Sequence, residues 1–264
     1  MNHVEARNIW VSYGVAPILE RVNISVEQGT FCTIVGASGC GKSTFLRLLL
    51  GQEQASRGEI LVDGAVIPAE PTPERGIVFQ RYSVFPHLTV MENLTLPSAF
   101  EQSPFLTRLF GKAKRAAEEK AEAMLEKLGL AHARDRYPAQ LSGGMQQRLS
   151  IGQTLLKRPK ILLLDEPFGA LDPGIRGDMQ MLLLSIWEET GMTIFMVTHE
   201  ISEAFRLGTR LIVFDKVRHD PQHPNAFGAT ITYDLKLKNA EPTDQLKAAE
   251  FLNNETITIR ANHV

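Results

Sequence analysis

Residues 36–44 read Gly36-Ala37-Ser38-Gly39-Cys40-Gly41-Lys42-Ser43-Thr44. This stretch fits the pattern G-x-x-x-x-G-K-[ST], in which backbone N–H groups between a strand and a helix bind phosphate groups. The surrounding sequence suits that interpretation, because the apolar run 30–35 precedes the stretch and the apolar helical run 45–50 follows it. Glycines let the backbone wrap an anion, and the helix N-terminus adds partial positive charge. A chance glycine-rich turn is the alternative, and this context argues against it.

The last residues of this phosphate loop (residues 36–44) indicate a nucleotide with Mg²⁺. A lysine at position 42 can reach the β- and γ-phosphates, and the Ser43 hydroxyl can hold the metal. All nine loop residues are therefore candidate cofactor-binding residues. We interpret Cys40 as a small tolerated side chain rather than a redox switch, although its alkylation should block the site.

Two acids end the apolar run 161–164, namely Asp165 and Glu166. In proteins with such a phosphate loop, an acid at a strand end supports Mg²⁺, a role that suits Asp165. Glu166 is then placed near the γ-phosphate, where a carboxylate can polarise an attacking water. The alternative is a pair of solvated acids, and the phosphate loop makes that interpretation weaker.

Strand and helix patterns alternate along the chain. Short strands with a hairpin turn at Asp63-Gly64 fill the first 70 residues, and helical spacing runs from about 86 to 158, with an irregular stretch at 98–111. Apolar strands return at 161–164, 193–197 and 210–215. We therefore predict an α/β fold: a P-loop NTPase core with a mostly parallel sheet, an N-terminal antiparallel β subdomain and a helical insertion over about 87–158. Further on, the pattern predicts an edge strand at 230–235, a helix at 246–252 and a short strand at 256–259.

Composition excludes several classes of protein. The 264 residues carry 28 Lys and Arg against 30 Asp and Glu, a formal net charge of -2, with 44% hydrophobic residues. These values are typical of a globular protein and unlike a disordered chain or a nucleic-acid binder that relies on bulk positive charge. No apolar run approaches the roughly 18 residues of a membrane span, and the N-terminus lacks the pattern of a secretory signal. Two cysteines cannot build a disulfide framework, so we expect a soluble, cytosolic chain.

The decisive further motif is Leu141-Ser142-Gly143-Gly144-Met145-Gln146-Gln147-Arg148. With it, the sequence resembles the ATP-binding subunit of ATP-binding-cassette (ABC) transporters, whose signature sequence has this form and position. Other matches follow in the family's order: Tyr13 resembles the residue that stacks on adenine, Gln80 the Q-loop glutamine, 170–172 the D-loop and His199 the switch histidine. The resemblance covers residues 4 to about 215, and we expect a nucleotide-binding domain over 1–220 and a short C-terminal extension over 221–264.

The resemblance implies ATP and Mg²⁺ as cofactors and a defined set of roles. Glu166 would act as the base, Lys42 and His199 would act on the γ-phosphate, and Gln80 would sense the Mg²⁺ held by Ser43 and Asp165. It also implies a second copy of the same or a homologous subunit, so that ATP lies between Lys42 of one chain and the signature of the other. The signature and D-loop residues concerned are Ser142, Gly143, Gly144 and Asp172.

The same resemblance implies partners in a membrane. Two permease subunits would dock beside Gln80, on a surface that includes Arg81, Tyr82, Ser83, Phe85 and Pro86. The segments 85–90, 136–138 and 165–172 are similar to the nitrate, sulfonate and taurine importers. We therefore expect a peripheral protein on the cytoplasmic face of a bacterial inner membrane, served indirectly by a substrate-binding protein. The sequence does not identify the transported substrate, and related importers of quaternary amines, polyamines or urea-like compounds stay open as alternatives.

Other functions stay open as alternatives. They are an exporter subunit, a non-transport ABC ATPase, and a P-loop kinase or GTPase, the last of which leaves residues 141–144 unexplained. Nucleic acid is not an expected partner. The aromatic residues of the insertion between 96 and 112 suit local packing, with a membrane or permease contact as the alternative. His219, Asp220 and His223 are possible metal ligands, but the neighbouring prolines favour a loop.

Overall fold

The computed structural model describes residues 2–79, 84–102, 110–218, 222–223 and 226–237. Within them the strands are β1 (Asn2–Tyr13), β2 (Ala16–Glu27), β3 (Phe31–Gly36), β4 (Arg57–Val62), β5 (Ala65–Val66), β6 (Arg75–Val78), β7 (Ile161–Asp165), β8 (Thr193–Val197), β9 (Arg210–Asp215) and β10 (Thr230–Lys236). The helices are α1 (Lys42–Leu50), α2 (Val90–Gln102), α3 (Gly111–Lys127), α4 (Gly143–Leu156), α5 (Pro173–Thr190) and α6 (Ile201–Leu207). The chain divides into two compact units. The first unit holds residues 1–72, 163–165 and 191–264, and the second holds 73–162 and 166–190.

The first unit contains the predicted antiparallel subdomain. Its strand order is β2-β1-β4-β5, and each neighbouring pair is antiparallel. The turn between β4 and β5 is Asp63-Gly64, and both residues have positive φ, 51° and 80°. Two consecutive positive φ values are the signature of a type I′ turn, which matches the twist of a two-residue hairpin. The hairpin prediction is confirmed.

The first unit also contains a mainly parallel sheet, ordered β10-β9-β3-β8-β7. Strand β3 pairs in parallel with β8 and β9, whereas β10 at the edge runs antiparallel to β9. The strand predicted at 230–235 is therefore present. Phe45 of α1 packs against the rings of Phe195 and Phe214, with centroids 6.4 and 5.3 Å away. Because parallel strands have their carboxyl ends at the same end of the sheet, the segments that follow β3 and β8 lie together at that end.

The second unit carries most of the predicted helical insertion, where α2 packs against α3 and α4. Helix α3 ends before Gly129, which has φ 64° and donates its N–H to the carbonyl of Glu126 at 3.0 Å. Strand β6 lies beside the start of β7, where the N–H groups of Lys160 and Ile161 donate to the carbonyl of Glu74.

One expectation about this unit is wrong. The stretch predicted to be irregular from 98 is helical to Gln102, because α2 continues through Pro97. Proline lacks an N–H, so the carbonyl of Asn93 one turn earlier loses its helical partner. The buried side chain of Gln153 replaces that partner, with Nε2 donating to the Asn93 carbonyl at 3.2 Å. Residues 103–109 lie outside the described part of the chain, as do 219–221, 224–225 and the elements predicted at 246–252 and 256–259.

Among the described residues, no helix combines the length and the apolar character that crossing a membrane would require. Cys32 and Cys40 are both buried, unpaired thiols, as expected from the cysteine count.

Candidate nucleotide-binding site

The phosphate loop joins β3 to α1 through three glycines whose backbone conformations favour glycine. Gly36, Gly39 and Gly41 have φ values of 147°, 78° and 85°, which L-residues rarely adopt. At Gly36 a Cβ would stand 2.1 Å from the Phe214 carbonyl oxygen. At Gly41 it would stand 2.6 Å from Cδ2 of Leu19. Only glycine permits this path, which confirms the conformational reason for the predicted motif.

We expect Gly36→Ala to destabilise the protein far more than Gly39→Ala. Both substitutions strain a positive φ, but the Cβ at Gly39 would meet nothing within 4 Å, whereas the Cβ at Gly36 meets backbone. Strain alone costs about 1 kcal/mol, and a clash with backbone adds to it. Chemical denaturation of both variants measures the difference. Equal midpoints would contradict the close packing of Gly36 on β9.

The N-terminus of α1 follows the loop without a side-chain cap, since Gly41 occupies the N-cap position. The N–H groups of the first helical turn therefore stay available to an anion, and the helix dipole favours negative charge there. No acid lies in this first turn to compete with that anion.

Lys42 is buried, with its ammonium folded back onto the loop that carries it. Nζ donates to the carbonyl oxygens of Gly36 and Ala37, both at 2.8 Å, and lies 3.8 Å from Sγ of Cys40. These contacts hold the charge inside the loop, where a phosphate oxygen would be a stronger partner than a neutral carbonyl. The ammonium of Lys42 thus lies where it can turn to a phosphate oxygen bound in the loop.

The two predicted Mg²⁺ ligands of the first unit meet directly. Ser43 Oγ donates to Oδ1 of Asp165 at 3.1 Å, although the residues are 122 positions apart. A hydroxyl and a carboxylate are hard oxygen ligands, and Mg²⁺ prefers a few such ligands completed by water and phosphate oxygens. The side chains therefore fit Mg²⁺. Among the residues with described positions, no group of three or more His, Cys, Asp or Glu side chains forms another metal site.

Burial raises the pKa of the Cys40 thiol, although the nearby ammonium of Lys42 opposes that shift. The more deeply buried Cys32 has its pKa raised to about 12 for the same reason. Since the thiolate is the nucleophile, both thiols should react slowly at neutral pH.

We therefore expect the rate at which iodoacetamide alkylates Cys40 to keep rising at pH values above the ordinary thiol pKa. At those pH values the alkylation rate of an unperturbed cysteine no longer increases. The thiolate fraction keeps increasing there because the pKa is raised. Peptide mapping by mass spectrometry measures labelling, with Cys32 as the internal control and ATP as the protecting ligand. A rate that is already constant by pH 8, or full labelling in the presence of ATP, would contradict this environment.

His199 directly follows β8, and its side chain is exposed. The buried Thr198 fixes this segment, since its N–H donates to the Ile34 carbonyl at 3.1 Å and its hydroxyl donates to Oε2 of Glu203 at 2.7 Å. The same hydroxyl accepts the N–H of Glu200. His199, which resembles the switch histidine, thus lies at the carboxyl end of the sheet strands, where the phosphate loop also begins. The sequence motifs do not include Thr198 or Glu203, whose hydrogen bonds fix this segment.

Tyr13 ends β1 beside a tight turn, paired with Ala16 across the hairpin. Its side chain is 50% exposed, which leaves a ring face open. An exposed aromatic ring suits stacking on a purine base, as the sequence predicted.

Glu166 opens the part of the second unit that follows Asp165. Its φ of 50° is left-handed, an uncommon conformation for glutamate, and its carbonyl accepts the N–H of Gly169 at 3.3 Å. Such backbone strain clusters at functional sites. Asp172 is exposed, and its carbonyl accepts the N–H of Arg176 at the start of α5.

The signature sequence forms the start of α4 in the second unit. Ser142 is the exposed N-cap, and its Oγ accepts the N–H of Met145 at 3.3 Å. Gly143 and Gly144 open the helix, and a Cβ on Gly144 would lie 3.3 Å from Leu171. Gln146, a motif residue to which the sequence assigned no role, donates to the carbonyls of Pro138 and Leu141 and fixes the approach to the helix. This arrangement presents N–H groups and a hydroxyl to solvent, as anion binding requires.

Gln80 lies outside the described residues, as do Arg81, Tyr82 and Ser83. The roles predicted for Gln80 therefore stay predictions. Phe85 and Pro86, which complete the predicted docking surface, are described and exposed.

Comparison with known proteins identifies relatives of this chain in sequence and in structure. Residues 19–169 match the protein family described as ABC transporter. The bicarbonate transport ATP-binding protein CmpC of Synechococcus elongatus is 46% identical over 195 residues, which are 74% of this chain and only 28% of that protein. The taurine import ATP-binding protein TauB of Escherichia coli O157:H7 is 40% identical over 210 residues, covering 80% of this chain and 78% of TauB. A dimeric ATP-binding cassette in a post-hydrolysis state with ADP and Pi is 29% identical, with a TM-score of 0.73 over 90% of this chain and all of that one.

Proposed function

This chain belongs to the ABC transporter family, and we propose that it is the ATP-binding and ATP-hydrolysing subunit of a bacterial importer, coupled to separate permease subunits. The observation that supports this most directly is the hydrogen bond from Ser43 to Asp165 beside the glycine loop that carries Lys42. It joins a phosphate-binding element to two oxygen ligands for Mg²⁺, which is what hydrolysis of a nucleoside triphosphate needs.

In the proposed mechanism, the loop N–H groups and Lys42 bind the β- and γ-phosphates, and Lys42 exchanges the carbonyls of Gly36 and Ala37 for phosphate oxygens. Ser43, Asp165 and Gln80 would hold Mg²⁺, which would supply neutralisation of the charge on the phosphates. Glu166 accepts a proton from the attacking water, and His199 orients the γ-phosphate and the water. Tyr13 stacks on the adenine.

We propose that two copies of the chain share each ATP. Ser142 is exposed, and the N–H groups of Gly143 and Gly144 open a helix of 14 residues. These donors suit the γ-phosphate bound to the phosphate loop of a second copy, with Asp172 of the D-loop nearby. The solved relative with ADP and Pi is likewise dimeric. A two-fold pair of identical surfaces gives two equivalent sites.

Mixing two inactive variants tests the shared site. Lys42→Ala removes the phosphate ligand, and Ser142→Arg obstructs the signature, so each variant alone should release little phosphate. In a mixed dimer one site combines an intact Lys42 with an intact Ser142 from the other chain. Random pairing should restore about a quarter of the parental rate, because half of the dimers are mixed and each has one intact site of two. No recovery on mixing would contradict a site that two chains share.

For the transported solute, we propose the small nitrate-, sulfonate- or taurine-like compounds that the sequence suggested. The names of two relatives, which refer to bicarbonate and taurine, support this class. The chain would then act at the cytoplasmic face of the inner membrane, held there by its permease and fed indirectly by a substrate-binding protein. ATP hydrolysis by the assembled complex should increase when the binding protein is loaded with a sulfonate, and stimulation only by polyamines would contradict the proposed class.

The exposed segment at Phe85 and Pro86 is the proposed docking surface. Asn93, which is fully buried, clamps this segment: Oδ1 accepts the N–H of Phe85 at 2.8 Å, and Nδ2 donates to the Phe85 carbonyl at 3.1 Å. Phe85→Asp should therefore leave the backbone in place but abolish co-purification with the permease. Retention of the permease by this variant would contradict docking at Phe85.

A further inference from the structure

The C-terminal segment at residues 226–229 is bonded to β2 within the first unit. Ala229 donates its N–H to the Ile18 carbonyl at 2.8 Å, and Glu20 donates its N–H to the Ala229 carbonyl at 2.9 Å. These bonds form a parallel bridge between Leu19 and Ala229. Gly228 packs so closely that a Cβ would lie 3.0 Å from backbone carbons of both Ile18 and Leu19. The segment therefore fixes the backbone of β2 at this point.

The same two residues of β2 touch the phosphate loop with their side chains. A Cβ on Gly41 would lie 2.6 Å from Cδ2 of Leu19 and 3.1 Å from Cγ2 of Ile18. Leu19 and Ala229 are both fully buried. Gly41 is the left-handed residue that directly precedes Lys42. A chain of packed contacts thus runs from residues 228–229 through Leu19 to the base of the phosphate site.

Arg218 ties this arrangement together from the surface. Its guanidinium donates to the carboxylate of Glu20 on β2, and its Cζ lies 4.2 Å from the centroid of the Phe227 ring. One guanidinium thus makes both an ion pair with Glu20 and a cation–π contact with Phe227, which links β2 to residues 226–229. Beyond residues 226–229, Lys236 at the end of β10 pairs with the exposed Glu27 at 3.3 Å. Glu27 lies at the end of β2, eight residues after Leu19.

We propose that residues 226–229, held by Arg218, are a positioning segment for the phosphate loop and thereby set the affinity for ATP. The inference rests on the proposed function, since it concerns the same ATP site. Glycines give the loop many accessible conformations. Packing of Leu19 against Gly41 restricts the loop to the backbone conformation that binds phosphate. When the conformation of the loop that binds phosphate is less populated, the apparent dissociation constant for ATP rises in inverse proportion to that population.

The test uses the full chain with Arg218 and Phe227 both replaced by alanine. We expect KM for ATP, and the dissociation constant of a fluorescent ATP analogue, to rise about five- to tenfold while kcat at saturating Mg²⁺-ATP stays within about twofold. Lys236→Ala, a change on β10 outside residues 226–229 that breaks the exposed ion pair with Glu27, is the matched control and should leave KM unchanged. A second variant, Phe227→Leu, keeps apolar packing but loses the ring, and it should give an intermediate KM. Thermal unfolding confirms that each assay is run on folded protein.

The outcomes separate cleanly. A raised KM and analogue dissociation constant with near-parental kcat supports the positioning role. An unchanged KM, or a lower kcat at unchanged KM, overturns it, because loss of folded protein reduces active sites without altering their affinity. If the parental protein binds the analogue but hydrolyses no ATP, the proposed function fails while the analogue still measures the effect of the segment.

Discussion

Replacing Glu166 with glutamine is expected to reduce ATP turnover by about 100- to 10,000-fold while ATP binding changes less than about twofold. Glutamine keeps the size of the side chain but cannot accept a proton from water. Glu166 directly follows the Mg²⁺ ligand candidate Asp165 in the chain and has left-handed backbone geometry. Phosphate release and binding of a fluorescent ATP analogue, measured on the same preparation, separate the two effects.

A matched control is Glu118→Gln, which removes the charge of a half-buried glutamate paired with the exposed Lys114 on α3. Surface pairs of this kind contribute little, so this variant should retain parental turnover. If Glu166→Gln hydrolysed ATP at the parental rate, Glu166 would not be the base. If it lost ATP binding as well, its main role would lie in binding.

Replacing Lys42 with alanine is expected to weaken ATP binding by about ten- to a hundredfold, since a hydrogen bond between charged groups contributes about 1.5–3 kcal/mol. Turnover should fall further, because the γ-phosphate loses a cation that stabilises its developing charge. The buried ammonium also donates to the carbonyls of Gly36 and Ala37, so its loss removes two hydrogen bonds from the loop. Isothermal titration with Mg²⁺-ATP and phosphate release provide the two readouts.

Lys114→Ala serves as the control for the loss of a lysine, because Lys114 is exposed on α3 and bonded only weakly, 3.7 Å from Glu118. It should bind ATP with parental affinity. Unchanged ATP affinity in Lys42→Ala, measured on protein that thermal unfolding shows to be folded, would contradict the role given to the loop.

The local features of the fold were predictable from the sequence. The turn at Asp63-Gly64 and the apolar strand before Gly36 depend on short-range conformational preferences, and the structure has both. The meeting of Ser43 with Asp165 was also predictable, although the residues are distant in sequence, because each belongs to a motif whose function requires the other.

Features that depend on unrelated distant residues were not predictable. An irregular stretch was predicted from residue 98, yet α2 continues to Gln102 because Gln153, 60 residues away from Asn93, supplies the hydrogen bond that Pro97 cannot make. Likewise nothing in residues 226–229 indicates that they bond to Ile18 and Glu20. The contacts of Lys42 with the carbonyls of Gly36 and Ala37 also escaped prediction, since the motif describes only the contacts of this lysine with phosphate.

Above all, we propose that this chain hydrolyses ATP at the site formed by Lys42, Ser43 and Asp165. Release of labelled phosphate from γ-labelled ATP by the purified protein tests it most directly, with and without EDTA and beside Asp165→Asn. We predict saturable release that requires Mg²⁺ and falls at least about a hundredfold in Asp165→Asn, as expected for loss of a metal ligand. Release that continues at the same rate in EDTA, or that Asp165→Asn leaves unchanged, would contradict the claim.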